Sequence, residues 1–324
     1  MAAPGTCAEG ANRPVRLLAV GDILLARGVE ARMRQRGQDY PFRALAPRLR
    51  KADIAFGNLE CVLSDRGEPV PNKRFLFRGR PANAKALQRA GFDIVSLANN
   101  HTLDFGREGL ADTLRHVRNA GVRTVGAGHT PEEALALEVL SVRGLRVGFL
   151  AFLGMFPPIL PSAPGKPDVA MGYPATVRAA VRRALPLCDV LVVSLHAGRE
   201  YTFRRSHRQQ QIARAAVDAG AHLVVGHHPH VVQDTEVYRG APIIYSLGNF
   251  VFDPSPRFLK DGGRGWSAML EADLERGRVR SWRLIDLRIV DRQPRLAADV
   301  RDEQRATPAA PPVRAEPRPA SPRR

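Results

Sequence analysis

Several apolar runs in this 324-residue chain end abruptly in a side chain that can bind a metal ion or move a proton. None of these side chains is a cysteine, and imidazole, carboxylate and amide groups suit divalent ions such as Mn, Fe or Zn. Their recurrence at five predicted strand ends therefore indicates one shared metal centre. The candidate residues are Asp22, Glu60, Asn100, His101, His196, His228 and His230.

The most specific signal is the segment from Gly226 to His230, which has the sequence Gly-His-His-Pro-His. Three histidines in four residues after a buried strand have no use in packing, so this segment favours metal ligation. Singly, the other candidates also fit ordinary roles: Asp22 could cap a turn or a helix, and His196 could simply close a strand. One ion could be clamped by the histidines, or a carboxylate such as Glu60 could bridge two ions about 3.5 to 4 Å apart.

Buried strands alternate with helices over the first two thirds of the chain. β-branched and leucine-rich runs predict the strands, and several of the intervening helices end at a glycine. This order predicts an α/β layered fold, in which ligands bind at the carboxyl ends of the strands. We predict strands at Arg16–Val20, Asp53–Phe56, Asp93–Leu97, Arg146–Phe152, Val190–Leu195 and Leu223–Val225, and helices at Phe42–Ala52, Ala82–Ala90, Arg107–Ala120, Ala175–Leu185 and Arg204–Ala219.

The pattern changes after Gly226 to strand-rich sequence, which predicts a second, partly antiparallel sheet. The Pro-rich stretch Phe156 to Pro174 predicts a long surface loop that could act as a lid or a substrate contact. The end of the chain is rich in Pro, Ala and Arg and cannot repay the entropy of ordering. We therefore expect a flexible start (1–14), one folded domain (15–295) and a disordered C-terminal tail (296–324).

Composition excludes some classes of protein. The net charge of +17 comes from arginines that are scattered without interleaved aromatic residues, so we expect no nucleic-acid partner. Three widely spaced cysteines, Cys7, Cys61 and Cys188, indicate neither a disulfide framework nor a thiolate zinc site. No transmembrane segment or signal peptide is visible, which predicts a cytoplasmic protein.

Five motifs resemble those of the CapA family, the poly-gamma-glutamate capsule biosynthesis proteins of the calcineurin-like metallophosphoesterase superfamily. The resemblance covers roughly Arg16 to Asp253, and its last motif is long and specific. In this chain the motifs are GDILLAR at Gly21 to Arg27, GNLE at Gly57 to Glu60, SLANNHTLDFGREG at Ser96 to Gly109, SLHAGREY at Ser194 to Tyr201, and VVGHHPHVVQDTEVYRGAPIIYSLGNFVFD at Val224 to Asp253.

The resemblance implies a four-layer α/β/β/α sandwich with a metal centre at the sheet edges. It implies that one ion is bound by Asp22 and His230, that a second is bound by Asn100, His196 and His228, and that Glu60 bridges them. It also implies that His101 is a general acid or stabilises the transition state. Asp104, three residues on, would orient His101.

Two positions depart from the wider phosphoesterase pattern. Leu24 stands where the first motif would have a histidine, and Asn58-Leu59-Glu60 replaces a Gly-Asp of the second motif. The number of ions, one or two, therefore stays open, as does the choice between phosphoester and amide chemistry.

Two hypotheses on function follow from the resemblance. The first is a hydrolase of a phosphoester or of an acidic polymer such as poly-gamma-glutamate. Its substrate would contact Arg199, Glu200 and Tyr201, which directly follow the fourth motif. The second is a non-catalytic, metal-binding partner of a polyglutamate synthesis and export complex, which would associate with polyglutamate synthase components.

Overall fold

The structure is a computed structural model that describes residues 13–156, 160–253 and 265–300. Two β-sheets lie face to face, and helices cover their outer faces. A further helical stretch spans residues 297–300. The helices are α1 (Arg27–Arg36), α2 (Ala46–Leu49), α3 (Ala84–Ala90), α4 (Gly106–Asn119), α5 (Pro131–Ala134), α6 (Pro174–Ala184) and α7 (His207–Asp218), with 3₁₀ turns at Tyr40–Phe42, Pro81–Asn83 and Leu185–Leu187.

Eight strands form the first sheet and six form the second. Two small two-stranded sheets lie outside them. The strands are β1 (Val15–Ile23), β2 (Ile54–Leu59), β3 (Val62–Leu63), β4 (Arg78–Gly79), β5 (Ile94–Ser96), β6 (Arg123–Val125), β7 (Ala127–Gly128), β8 (Glu138–Val142), β9 (Leu145–Leu153), β10 (Asp168–Val169), β11 (Val190–His196), β12 (Leu223–His227), β13 (Thr235–Tyr238), β14 (Ala241–Ile244), β15 (Asn249–Val251), β16 (Trp266–Glu275), β17 (Arg278–Val290) and β18 (Gln293–Leu296).

The first sheet has the spatial order β18, β17, β16, β1, β2, β5, β6, and β15 pairs with the end of β1. The second sheet has the order β13, β14, β12, β11, β9, β8. In each sheet the central strands are parallel: β1, β2, β5 and β6 in the first, and β9, β11, β12 and β14 in the second. Their carboxyl ends therefore meet along one edge of the sandwich.

The core lies between the sheets and beneath the two helical layers. Phe56 of β2 stacks on Phe149 of β9, with ring centroids 5.7 Å apart, so side chains of the two sheets interdigitate. Helix α4 packs beside β6 on the first sheet, and α6 and α7 pack on β9 and β12 of the second. The predicted four-layer α/β/β/α sandwich is confirmed.

All six strands predicted in the first two thirds of the chain are present, but two other predictions differ from the structure. The helix predicted at Phe42–Ala52 is reduced to α2, because Pro47 has no N–H to continue a helix from Arg43. The strands after Gly226 do not form a sheet of their own. Instead, β16 and β17 extend the first sheet beside β1, and β14 joins the second.

Parts of the predicted domain boundaries lie outside the described residues: 1–12 of the flexible start and 301–324 of the C-terminal tail. Leu296 closes β18, so described structure continues past the predicted boundary at 295. Within the predicted surface loop, residues 157–159 are not described, and β10 pairs with β7. In the part of the chain that the structure describes, we find no helix with the length and apolar character needed to cross a membrane.

Candidate metal centre

The ends of four parallel strands deliver polar side chains to one buried point at the edge of both sheets. Asp22 lies near the end of β1, and Glu60 directly follows β2. From the other sheet, His196 ends β11 and the segment after β12 carries His228 and His230. Because neighbouring parallel strands are in register, residues far apart in sequence become neighbours here.

A carboxylate oxygen of Glu60 lies among three imidazoles. Its Oε1 is 3.7 Å from Nε2 of His196, 3.9 Å from Nε2 of His101 and 4.0 Å from Nε2 of His230. Nε2 of His196 is also 2.7 Å from Oδ1 of Asn100. The structure therefore brings the predicted residues of both sheets within a few ångströms of one another.

Asp22 is held by the loop that follows β12. Its Oδ2 accepts a hydrogen bond from the backbone N–H of His228 at 3.3 Å and lies 3.3 Å from Nδ1 of His230. Both histidines have positive φ, 99° and 58°, which costs on the order of 1–3 kcal/mol each for residues other than glycine. The contacts to Asp22 help to hold this strained loop in place.

Three sets of side chains are spaced closely enough to share an ion. In each set, one ligand atom from every residue lies within 4.8 Å of the others. Two sets contain Glu60, and the third replaces it with Glu200. The sets are Glu60 with His196 and His228, Asp22 with Glu60 and His230, and Glu200 with His228 and His230.

Unpartnered buried atoms show that the centre fits a cation. Glu60 and His228 are almost fully buried, and both oxygens of Glu60 and Nδ1 of His228 have no hydrogen-bond partner among the described residues. Leaving such atoms buried without a partner costs about 1–3 kcal/mol each, and more when the group is charged. A divalent ion would satisfy them, and their nitrogen and oxygen donors match Mn, Fe or Zn.

The pKa values follow from this burial and crowding. Burial, together with the charge of Asp22, raises the pKa of Glu60 well above its usual value. Burial opposes ionisation of Asp22 as well, but the hydrogen bond and charge of His230 outweigh it and lower the pKa of Asp22. Burial would lower the pKa of His230, yet the charges of Glu60 and Asp22 raise it to about 9. Two carboxylates thus create a strong demand for positive charge at this point.

Burial favours the neutral form of the other histidines of the centre. Burial lowers the pKa of His228 to about 3 and that of His101 to about 4, and it lowers the pKa of His196 well below its usual value. A neutral imidazole offers a lone pair, which is the form that binds a metal ion. Burial therefore keeps these rings ready for ligation.

His101 is fixed by contacts on two sides. Its Nδ1 lies 2.7 Å from Oδ2 of Asp104, and Phe77 stacks on the ring with centroids 3.8 Å apart. Asp104 also accepts hydrogen bonds from the backbone N–H of Phe77 and from Lys73. Since a carboxylate only accepts, Nδ1 carries the proton and Nε2 faces Glu60. The predicted relation between His101 and Asp104 is thus present as an oriented pair.

The residues predicted to contact substrate lie at the mouth of the centre. Glu200 and Tyr201 line two cavities, of about 770 Å³ and about 460 Å³. Arg199 is exposed and lines the larger one, which reaches His228. The smaller one reaches His101 and His230.

A sequence profile described as "Bacterial capsule synthesis protein PGA_cap" matches residues 16–254, which is most of the chain. The chain belongs to this PGA_cap family. The predicted resemblance to the CapA proteins is thereby confirmed.

Named relatives support this assignment. The capsule biosynthesis protein CapA of Bacillus anthracis is 33% identical over 301 residues, 91% of this chain and 72% of that protein. The PGA biosynthesis protein CapA of Bacillus subtilis strain 168 is 35% identical over 236 residues, 72% of this chain and 62% of that protein. A probable polyglutamine synthesis accessory protein of Mycobacterium tuberculosis is 32% identical over 216 residues, 62% of this chain and 56% of that protein. The chain thus spans less than two thirds of the last two.

Solved structures share the fold. The 5'-nucleotidase precursor of Thermus thermophilus gives a TM-score of 0.51 at 16% identity. The match covers 90% of this chain and 58% of the nucleotidase chain. A putative 5'-nucleotidase of Staphylococcus aureus gives a TM-score of 0.52 at 14% identity. That match covers 83% of this chain and 53% of the nucleotidase chain. The sandwich of this PGA_cap member is therefore of the metallophosphoesterase type.

The two departures from the phosphoesterase pattern have structural consequences. Leu24 is fully buried in the apolar core, so its position offers no ligand. Asn58 donates a hydrogen bond to Oδ1 of Asp22 at 2.8 Å, and the same amide nitrogen lies 3.2 Å from Nδ1 of His196. An amide therefore ties together two of the candidate ligands.

Four residues outside the predicted set of site residues also shape the centre. Asn58, Lys73 and Asn249 hold its members by hydrogen bonds, and His227 is fully buried with Nδ1 3.6 Å from Oδ1 of Asp22. The position of His227 beside two candidate ligands was a usable signal. Asn249 lies inside the last of the five motifs, whereas the sequence around Lys73 gives no such indication.

Proposed function

We propose that this PGA_cap member is a metal-dependent hydrolase that acts on a phosphoester or on an acidic polymer such as poly-gamma-glutamate, in polyglutamate capsule biosynthesis. The supporting observation is the buried cluster around Glu60, whose Oε1 has no hydrogen-bond partner among the described residues and lies within 4.0 Å of ring nitrogens of His196 and His230. The names of two relatives, a capsule biosynthesis protein and a PGA biosynthesis protein, support the biosynthetic part of this proposal.

The centre would hold one or two ions of Mn, Fe or Zn. Bound there, such an ion polarises the reacting group and lowers the pKa of a water toward neutrality. Asp22 retains its negative charge because its pKa is lowered, and the imidazoles of His196 and His228, whose pKa values are lowered, supply lone pairs. The proposed ligands are Asp22, Glu60, Asn100, His196, His228 and His230.

The remaining residues of the site bind substrate and move a proton. Asp104 fixes the ring of His101 so that Nε2 faces the centre, where it can exchange a proton with the reacting group. Glu200 and Tyr201 line both cavities, Arg199 lines the larger one, and all three would contact the substrate. Burial of the centre excludes bulk water from these steps.

The test is an assay of metal-loaded protein against generic phosphoesters and gamma-glutamyl amides. We expect turnover of at least one class in the wild type and its loss in His101→Ala and His228→Ala. His129→Ala is the matched control, because His129 is exposed and lies outside the centre. Turnover that survives both substitutions would refute the assignment.

A second function is favoured by the surroundings of Asp22. Leu24 contributes no ligand, and Asn58 donates a hydrogen bond to Oδ1 of Asp22, so the described residues offer few donors for an ion on this side of the centre. The chain would then be a non-catalytic, metal-binding partner of a polyglutamate synthesis and export complex with polyglutamate synthase components. In that case metal or polyglutamate would raise the melting temperature while no substrate is turned over.

A further inference from the structure

A cavity of about 460 Å³ lies beside the candidate metal centre. Its volume lies in the range of roughly 300–1,000 Å³ that is typical of small-molecule sites. It shares His101 and His230 with the centre, so a ligand inside it lies against the reacting groups. Its other walls are formed mainly by two arginines and three phenylalanines, which the proposed metal chemistry does not use.

Arg27 presents a cation to this cavity. Its guanidinium carbon lies 5.4 Å from the ring centroid of Phe77, and its Nε is 3.8 Å from Oδ2 of Asp253, too far for a hydrogen bond. The oxygens of Asp253 are already engaged, Oδ1 by Nε of Arg292 at 2.7 Å and Oδ2 by the N–H of Gly28 at 3.2 Å. Among the residues that the structure describes, Arg27 has this ion pair and makes no side-chain hydrogen bond, so its N–H donors can bind a ligand.

Arg74 supplies a second cation from the loop before β4. Its guanidinium carbon lies 5.1 Å from the ring centroid of Phe75, and 52% of the surface of Phe75 is exposed. Phe252 adds a buried aromatic wall and lies 6.1 Å from Phe77, measured between centroids. The cavity thus combines two guanidinium groups with an apolar surface.

Two acids, Asp253 and Glu200, also line the cavity, and both are engaged by other groups. Asp253 is shared between Arg292 at 2.7 Å and Arg27 at 3.8 Å, so one carboxylate faces two guanidinium groups. Glu200 lies within 4.8 Å of ring nitrogens of His228 and His230, so its charge faces the metal centre. An anionic ligand in the cavity would therefore meet Arg27 and Arg74.

We infer that this cavity is a subsite for a substrate that carries an oxyanion next to an apolar segment. Arg27 and Arg74 bind the oxyanion, and Phe75, Phe77 and Phe252 contact the apolar segment. A guanidinium can donate two parallel hydrogen bonds to a carboxylate or a phosphate, which gives geometric selectivity as well as affinity. The inference rests on the proposed function, because it places the oxyanion next to the bond that reacts at the metal centre.

Binding measurements test the subsite without relying on turnover. Isothermal titration calorimetry of metal-loaded protein would use three probes: gamma-glutamylglutamate, its fully amidated neutral analogue, and inorganic phosphate. The variants are Arg27→Gln and Arg74→Gln. The matched control is Arg178→Gln, which removes an exposed arginine from α6. Metal content and melting temperature are measured for every variant, so that a folding defect is recognised.

We expect each variant of the subsite to bind the favoured anion at least about tenfold more weakly, since a charge-assisted hydrogen bond is lost. The neutral analogue and the control should show no change. Loss for the dipeptide alone identifies a carboxylate, and loss for phosphate alone identifies a phosphate group. Either result supports the subsite.

Equal affinity of Arg27→Gln, Arg74→Gln and Arg178→Gln for both anions would overturn the inference. So would a wild-type protein that does not prefer the anions to the neutral analogue. The proposed function fails in a different way, by absence of metal or of turnover. Anion binding that still depends on Arg27 would then leave the subsite in place as a binding site alone.

Discussion

Oε1 of Glu60 lies 3.7 Å from Nε2 of His196, and both side chains are buried. Glu60 follows β2 of the first sheet, whereas His196 ends β11 of the second. The candidate centre therefore lies across the junction of the two sheets. Its geometry depends on how the sheets are packed, and residues outside the ligand set should affect it.

Asn249→Ala should weaken metal binding although Asn249 is not a proposed ligand. Its Oδ1 lies 2.9 Å from Nδ1 of His230 and fixes the direction of that ring. Loss of such a partner typically reduces metal affinity about 10- to 100-fold. Competition with a chromophoric chelator measures the affinity.

The matched control for Asn249→Ala is Gln211→Ala. Gln211 makes a similar amide contact of 2.8 Å with His207, on the exposed surface of α7. The control should bind metal like the wild type. Equal affinities of Asn249→Ala and the control would mean that the amide does not orient His230.

His101→Gln should reduce turnover and leave metal content unchanged. The substitution removes the group that faces Glu60 through Nε2, and a positioned proton carrier typically contributes about 10²- to 10⁴-fold to a rate. Steady-state kinetics together with elemental analysis separates the two effects. His116→Gln on α4 serves as control. A variant that loses metal along with activity would assign His101 to ligation.

Asp189→Asn should destabilise the fold in a pH-dependent manner. Asp189 accepts hydrogen bonds from the backbone N–H and the guanidinium of Arg146 and from Arg276, which comes from the turn between β16 and β17. The bond with Arg146 is the main cause of its lowered pKa. A carboxyl group whose pKa is lowered by folding stabilises the fold at pH values above its unfolded-state pKa of about 3.9. This stabilisation is lost as the pH falls through the pKa of the folded state.

We therefore expect the thermal midpoint of Asp189→Asn to lie roughly 2–4 °C below that of the wild type at pH 7. The difference should shrink as pH falls below about 4. Calorimetric scans between these pH values follow it. A difference that stays constant down to low pH would show that the charge of Asp189 is not involved.

Gly21→Ala should disturb both stability and the metal centre. A Cβ at this position would lie 1.9 Å from the carbonyl oxygen of Gly248, which accepts the N–H of Asp22 at 3.0 Å. β1 and β15 would have to separate, at a cost of about 1–3 kcal/mol, and Asp22 would move. Urea unfolding and metal titration report the two effects. Unchanged metal affinity would show that Asp22 tolerates the shift.

Local sequence was enough to predict the strands that build the centre. The apolar runs that become β1, β2, β5, β9, β11 and β12 are buried, and a buried parallel strand is visible as a continuous apolar run. The polar residues at their ends converge because parallel strands share one edge. Asp22 and Glu60, which lie at the ends of neighbouring strands of one sheet, were therefore predictable as neighbours, whereas the approach of His196 depends on how the two sheets pack.

Long-range pairing was not predictable in this way. Strand β16 pairs with β1, so that Val15 lies opposite Leu274. No local sequence pattern specifies which sheet a hairpin will extend. Asn249 and Lys73 reach the centre for the same reason, through the placement of β15 and of the loop before β4. The shortening of the helix predicted around Pro47 was predictable from sequence, because proline has no N–H to donate to the carbonyl of Arg43.

Elemental analysis of the purified protein tests the central claim most directly. The protein is incubated with Mn, Fe and Zn, freed of unbound metal, and compared with His228→Ala prepared in the same way. We predict one or two tightly bound divalent ions per wild-type chain, and a clear loss in the variant. A wild-type protein that retains no stoichiometric metal, or a variant that retains as much, would contradict the account.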